Sequence, residues 1–152
     1  NNRLIVNIEY HKNGQLACMY DTEISAIKDE NNTTLMDFTE KGKNINFCNI
    51  NLDNNVYRAI EENDGLFNTN TIIEIRETGN DKTTVYTVEG AAKAINSFNN
   101  VIAINLGQEV EFINTKGMLL KRYSSVQEVQ NVVIGNGIAG IIYKDQVEII
   151  NL

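Results

Sequence analysis

The chain of 152 residues contains no proline and no tryptophan, and it has one histidine and two cysteines. Without proline there is no rigid Pro-rich linker. One histidine cannot supply a zinc site built on two or three histidines. Cys18 and Cys48 form neither a zinc ribbon nor a C-x-x-C redox motif. No run of about 18 apolar residues exists, so we expect no membrane-spanning helix.

Positive charge is also scarce. The chain carries 13 basic and 20 acidic residues, a formal net charge of −7, and its only adjacent basic pair is Lys121-Arg122. Residues 1–78 hold 13 acids and 7 bases, whereas residues 79–152 hold 7 acids and 6 bases. Binding to phosphate backbones requires clustered Lys and Arg. We therefore expect no nucleic-acid partner.

What the chain does contain is a hydrophobic fraction of 42%, with 24 Asn and 20 Ile. This content and length predict a single domain over residues 1–152. Asn and Ile have AT-rich codons, which suggests a bacterium, a phage or a plasmid as the source. The start has neither Met nor signal-peptide features, so we expect a trimmed N-terminus. The expected location is the cytoplasm, a virion or the cell surface.

Alternating apolar residues are the dominant signal and predict strands. Residues 3–10 and 15–20 flank Asn13-Gly14, a strong hairpin signal. Thr71–Arg76 and Thr83–Val88 predict a second hairpin, because both segments are rich in β-branched residues. The remaining predicted strands are 22–28, 33–38, 44–52, 101–106, 109–114, 118–123, 132–134, 138–143 and 146–151.

Three segments carry helical signals. A short helix is predicted after Asp53, because Val56 and Ile60 lie four residues apart on one side. A longer helix is predicted over Glu89–Phe98, which is rich in alanine and has an apolar stripe. Ser125-Val-Gln-Glu128 has the form of a capping box and predicts one further turn.

These elements predict a β-rich α+β fold. Hairpin-length connections favour largely antiparallel sheets, arranged as a sandwich or a partly open barrel with two or three short helices. The sequence shows no repeat of fixed period.

The glycines Gly135, Gly137 and Gly140 follow the apolar run Val132-Val-Ile134. The stretch Val-Val-Ile-Gly-Asn-Gly-Ile-Ala-Gly resembles the G-x-G-x-x-G start of Rossmann flavin or nicotinamide domains. That resemblance implies a dinucleotide pyrophosphate at a helix N-terminus. Only 12 residues follow Gly140, and they predict a hairpin instead of a helix. We therefore interpret the stretch as a turn or bulge between strands and expect no cofactor.

The segment Ile138-Ala-Gly-Ile-Ile-Tyr-Lys-Asp145 resembles the LAGLIDADG helix of homing endonucleases. The resemblance implies that Asp145 is the metal-binding carboxylate of a DNA-cleaving enzyme. The segment departs from that motif at Tyr143, which replaces the first acidic residue, and at Gln146, which replaces the closing glycine.

The other candidate catalytic residues are few. His11 has no neighbouring Ser or Cys, so we predict no catalytic or metal site around it. Glu109 and Glu111 share one strand face, which we expect to face solvent. In a reducing compartment, we expect Cys18 and Cys48 to be buried free thiols. On a virion or cell surface, we expect them to form a disulfide.

This inventory favours a non-enzymatic structural or protein-interaction module, such as an assembly subunit of a phage particle, a filament or another bacterial complex. Its predicted contact is the apolar last strand, in which Val147, Ile149, Ile150 and Leu152 form a strand-pairing edge for a protein partner or a second copy. Two alternatives remain: an acidic inhibitor or regulator of a basic protein, and a nucleotide- or ligand-binding domain that uses Gly135–Gly140.

Overall fold

A computed structural model describes residues 4–11, 14–20, 23–37, 44–50, 55–64, 68–77 and 82–152. Within these ranges the chain consists of strands and turns. The strands are β1 (Ile5–His11), β2 (Gln15–Tyr20), β3 (Glu23–Lys28), β4 (Asn31–Asp37), β5 (Asn44–Ile50), β6 (Asn55–Asp64), β7 (Asn68–Glu77), β8 (Thr83–Glu89), β9 (Ala94–Phe98), β10 (Val101–Asn105), β11 (Glu109–Asn114), β12 (Leu119–Ser124), β13 (Asn131–Ile134), β14 (Ile138–Ile142) and β15 (Val147–Asn151).

The strands form four successive antiparallel sheets, in which each strand pairs with its neighbours along the chain. Sheet 1 contains β1–β4, sheet 2 contains β5–β8, sheet 3 contains β9–β12, and sheet 4 contains β13–β15. The same sequential strand order therefore recurs from sheet to sheet, although the sequence shows no repeat of fixed period. Three of the four sheets have four strands, which is also the strand number of a β-propeller blade.

The predicted antiparallel, β-rich architecture is confirmed. Both predicted hairpins form, as the pairing of Tyr10 with Leu16 and of Arg76 with Thr83 shows. The described residues contain more strands than predicted. The strands are divided among four separate sheets. The described residues therefore form several sheets instead of one sheet closed into a barrel.

The prediction of two or three short helices is wrong. The segment containing Val56 and Ile60 is strand β6, and Ala94–Phe98 is strand β9, which pairs with β10. Residues 125–130 connect β12 to β13 without a helical turn. A spacing of four residues places side chains on one side of a helix, but it also places them on one face of a strand. Tertiary pairing therefore decided between two structures that local spacing allows.

Sheet 3 lies between sheets 2 and 4 and is buried on both faces. One core cluster joins Ile73 and Val88 of sheet 2 to Ile102 and Ile104 of sheet 3. The second cluster joins sheet 3 to sheet 4, and it includes Ala103, Val110, Phe112, Val132, Ala139 and Ile141. Alternate residues of β10 therefore serve different interfaces. Such double burial explains why β10 is a nearly continuous apolar run.

A buried threonine anchors the connection from sheet 2 to sheet 3. The Thr71 hydroxyl of β7 donates to the Gly90 carbonyl (2.7 Å) and accepts from the Ala92 N–H (2.9 Å). Gly90 also donates its N–H to the Thr69 carbonyl (2.7 Å) and has a φ of 106°, which favours glycine. The short side chain thus satisfies backbone groups that burial would otherwise leave unpaired.

A buried asparagine has the same role between sheets 3 and 4. Asn105 donates its amide to the Val129 carbonyl (2.9 Å), and its side-chain oxygen accepts from the Gly107 N–H (2.9 Å). Val129 in turn donates its N–H to the Gly107 carbonyl (2.8 Å). Each of these two connections is therefore fixed by one buried polar side chain of the preceding sheet.

Replacing Thr71 by Val should reduce the free energy of unfolding by about 2 kcal/mol, because the Gly90 carbonyl and the Ala92 N–H lose a buried partner. Urea denaturation measures the change. Thr87→Val is the matched control, since Thr87 is exposed on the neighbouring strand β8 and should change stability little. Equal effects of the two substitutions would contradict this role of Thr71.

Candidate interaction surface

Sheet 4 has one packed face and one open face. Its register places Val133, Ile138, Gly140, Ile142, Val147 and Ile149 on the same side, which we call the outer face. Val133, Ile138, Val147 and Ile149 are between 43% and 64% exposed. The other residues on this side are Asn131 and Asn151, so the outer face carries no formal charge. Contiguous exposed apolar surface of this kind is typical of interaction sites.

Gly140 lies at the centre of the outer face. A Cβ atom there would approach the Val133 Cγ2 atom to 2.9 Å and would also contact Ile149 and Val147. The missing side chain therefore lets the branched residues of β13 and β15 close over the middle strand. The result is a continuous apolar surface across three strands.

The structure divides the four residues of the predicted strand-pairing edge between two faces. Val147 and Ile149 lie on the outer face and are exposed. Ile150 and Leu152 lie on the opposite side and pack against the core cluster between sheets 3 and 4. The alternation of β15 explains the division, because successive side chains point to opposite faces.

The backbone of β15 forms an edge of sheet 4. Leu152 donates its N–H to the Gly137 carbonyl (2.9 Å), and the Gln146 carbonyl accepts from the Tyr143 N–H (2.9 Å). In an antiparallel ladder this places the backbone groups of Val147, Ile149 and Asn151 along the edge. The Lys121 ammonium group donates to the Asn151 carbonyl. A lysine at this position restricts the addition of a further strand.

The glycine stretch lies in sheet 4 and not at the start of a helix. Gly135 and Gly137 are in the turn between β13 and β14, where Gly135 donates its N–H to the Ile138 carbonyl (2.9 Å). Gly137 has a φ of 74°, and Gly140 is within strand β14. The segment that resembles the LAGLIDADG helix is also strand β14, and Asp145 lies in the turn that follows it.

The remaining predicted site residues are not brought together by the described part of the structure. Cys18 is buried. The side chains of Cys48 and His11 lie outside the described residues, so the disulfide stays a prediction. The described residues contain no group of three or more His, Cys, Asp or Glu suited to a metal ion. They also contain no helix long and apolar enough to cross a membrane.

The prediction that Glu111 faces solvent is wrong. Glu111 is 1% exposed and lies between sheets 2 and 3. Its carboxylate accepts from the Tyr86 hydroxyl (2.6 Å) and from the Arg122 Nε (2.8 Å). Arg122 also lies 3.1 Å from a carboxylate oxygen of Glu109. Pairing with a cation and a phenol makes burial of the carboxylate tolerable. The Tyr86–Glu111–Arg122 network therefore links sheet 2 to sheet 3.

A second polar network joins sheets 3 and 4. The Tyr123 hydroxyl donates to the Glu148 carboxylate (2.5 Å) and lies 2.6 Å from the Tyr143 hydroxyl. The hydrogen bond to Glu148, and then the one to Tyr143, raise the pKa of Tyr123. This network is at the rim of the packed face of sheet 4 and leaves the outer face untouched.

A surface cleft of about 410 Å³ lies beside the connections of sheet 3. Its charged side chains have partners, because Lys93 forms an ion pair with Glu128, and Glu109 with Arg122. The cleft thus has no unpaired charge among its lining residues, which are Lys93, Leu106, Gly107, Gln108, Glu109 and Glu128. The outer face of sheet 4 is the stronger candidate site.

Comparison with known proteins finds neither a matching family model nor a matching curated protein. Solved structures do match. Hsv2 from Kluyvelomyces marxianus aligns over 99% of this chain and 49% of its own, with a TM-score of 0.59 and 10% identity. The AfRom2 CNH domain aligns over 97% of this chain and 54% of its own, with a TM-score of 0.53 and 10% identity. The chain thus shares their fold and spans about half their length.

The buried network predicts a specific alkaline response. Burial, and then the hydrogen bond to Glu111, raise the pKa of Tyr86 to about 12, against about 10 in an unfolded chain. A raised folded-state pKa means that this contribution to stability is complete below pH 10 and is lost as the pH rises towards 12. Tyr86→Phe should therefore reduce the alkaline loss of stability, measured by urea denaturation.

Glu111→Gln provides the complementary measurement. It removes the charge that faces the phenol, so ultraviolet titration should show one tyrosine ionising at lower pH than in the unmodified chain. Identical titration curves would show that Glu111 does not hold the Tyr86 proton.

Proposed function

We propose that this chain is a non-enzymatic protein-interaction module that binds a protein partner through the outer face of sheet 4. The observation that carries the proposal is the exposure of Val133, Ile138, Val147 and Ile149 on one uncharged sheet face. An apolar centre with Asn131 and Asn151 at its margin has the composition of a protein interface, which combines an apolar core with a polar rim.

The face is favoured over the strand edge as the contact. Edge pairing would require the backbone groups of β15, and the Asn151 carbonyl already accepts from Lys121. Two of the four apolar residues near the C-terminus, Ile150 and Leu152, are committed to packing inside the chain. Val147 and Ile149 are instead available on the outer face.

A finer form of the proposal is a subunit of a phage particle, a filament or another bacterial assembly. The support for this form is the Asn- and Ile-rich composition together with the same apolar surface. The alternative of an acidic regulator differs in its response to salt. Charge-steered binding weakens as ionic strength rises, whereas apolar association does not weaken in this way.

Site-specific photo-cross-linking tests the proposal. A photoreactive amino acid is placed at Ile149, on the outer face, in the full chain expressed in its source cells. We expect covalent protein adducts, identified by mass spectrometry as another protein or as a second copy. Position 149 tolerates a larger side chain because Ile149 is exposed.

Val126 is the matched control position, since it is an apolar residue that is 94% exposed outside sheet 4. The same photoreactive residue at Val126 should give few adducts. Equal adducts at both positions, or none at Ile149, would overturn the proposed surface. Circular dichroism of each variant confirms that the fold is retained.

A further inference from the structure

We propose that the outer face of sheet 4 docks on sheet 1 of a second copy of this chain, so that two copies associate head to tail. This inference rests on the proposed function, because it names the partner of the same surface. The two copies would make two equivalent contacts, each between sheet 4 of one and sheet 1 of the other. Such an arrangement closes after two subunits and leaves neither apolar face open.

Sheet 1 offers a complementary apolar surface. Ile8 and Tyr10 of β1 lie on one face with Leu16 of β2, as the pairing of Tyr10 with Leu16 requires. Ile8 and Tyr10 are 51% and 81% exposed, and Leu16 is also exposed. The opposite face of β2 carries Ala17 and Met19, which are fully buried. Cys18 and Ser25 lie on the same side of sheet 1 as Ile8 and Leu16 and are buried. The exposed apolar area of sheet 1 is therefore confined to β1 and the start of β2.

Apolar sheet faces elsewhere in this chain pack against each other. Sheets 2 and 3, and sheets 3 and 4, join through branched apolar side chains on facing sheets. The outer face of sheet 4 carries the same residue types, with valine and isoleucine on three adjacent strands. Face-to-face stacking of a further sheet would remove this area from water in the same way.

The length comparison favours a second copy over a short peptide. The whole of this chain aligns with about half of each of the two similar structures. In each of them, the other half of the polypeptide accompanies the matched half. A second copy supplies a comparable amount of chain and, with sheet 1, an apolar sheet face to continue the stack.

The test is a complementation experiment with two charge variants, Ile149→Lys on sheet 4 and Ile8→Glu on sheet 1. Native mass spectrometry and sedimentation velocity of the full chain over a dilution series report the assembly state. The unmodified chain should form dimers. Each variant alone should raise the dissociation constant by about 100-fold or more, because it buries an unpaired charge at both contacts.

Mixing the two variants should restore a heterodimer. One of its contacts is then unmodified, and the introduced lysine and glutamate meet at the other. Labelling one variant with ¹⁵N distinguishes the heterodimer by mass. Val126→Lys is the control and should leave the dimer intact, since Val126 lies outside both faces. Unfolding curves check each variant, and Val147→Lys replaces Ile149→Lys where the latter fails to fold.

The outcomes separate this inference from the proposed function. Loss of the dimer in Ile149→Lys but not in Ile8→Glu would mean that two outer faces pair with each other, which overturns the head-to-tail arrangement. A monomer at every concentration would overturn self-association. In both cases, adducts at position 149 would still support the interaction surface.

Discussion

The fold depends on one constraint, which is that a four-stranded sheet with two apolar faces cannot bury both of them alone. Sheet 3 meets this constraint by lying between two neighbours, with Ile102 and Ile104 facing one and Ala103 facing the other. The buried side chains of Thr71 and Asn105 follow from the same stacking. Once two sheets press together, the backbone that links them also leaves water, and its polar groups need partners.

Local sequence signals predicted the hairpins because a hairpin is decided locally. The sequence signal Asn13-Gly14 and the β-branched segments of β7 and β8 specify neighbouring strands without help from the rest of the chain. Strand β6 is different, because a spacing of four residues is compatible with a helix and with a strand. Its residue Arg58 is buried. Arg58 is tolerated there through its ion pair with Glu74, directly opposite on β7. The four-residue spacing of Val56 and Ile60 suggested a helix, and the pairing of β6 with β7 decides in favour of a strand.

The same limit applies to Glu111. Two acidic residues at alternate positions suggest a solvent-facing side of a strand, and Glu109 is indeed partly exposed. Glu111 is buried because Tyr86 on β8 and Arg122 on β12 both reach its carboxylate. Those partners lie 25 and 11 residues away along the chain. Their convergence is a consequence of stacking, so no local pattern in the sequence could reveal it.

The apolar character of the last strand was evident from the sequence, but the sequence does not distinguish an interior face from an interface. Ile150 packs inside the chain, whereas Ile149, the preceding residue, is 64% exposed. Both faces of sheet 4 carry valine and isoleucine, so composition alone does not tell them apart. What separates them is only whether the described chain supplies a neighbour. An exposed apolar face with the composition of a core is the reason for proposing a second apolar sheet as its partner.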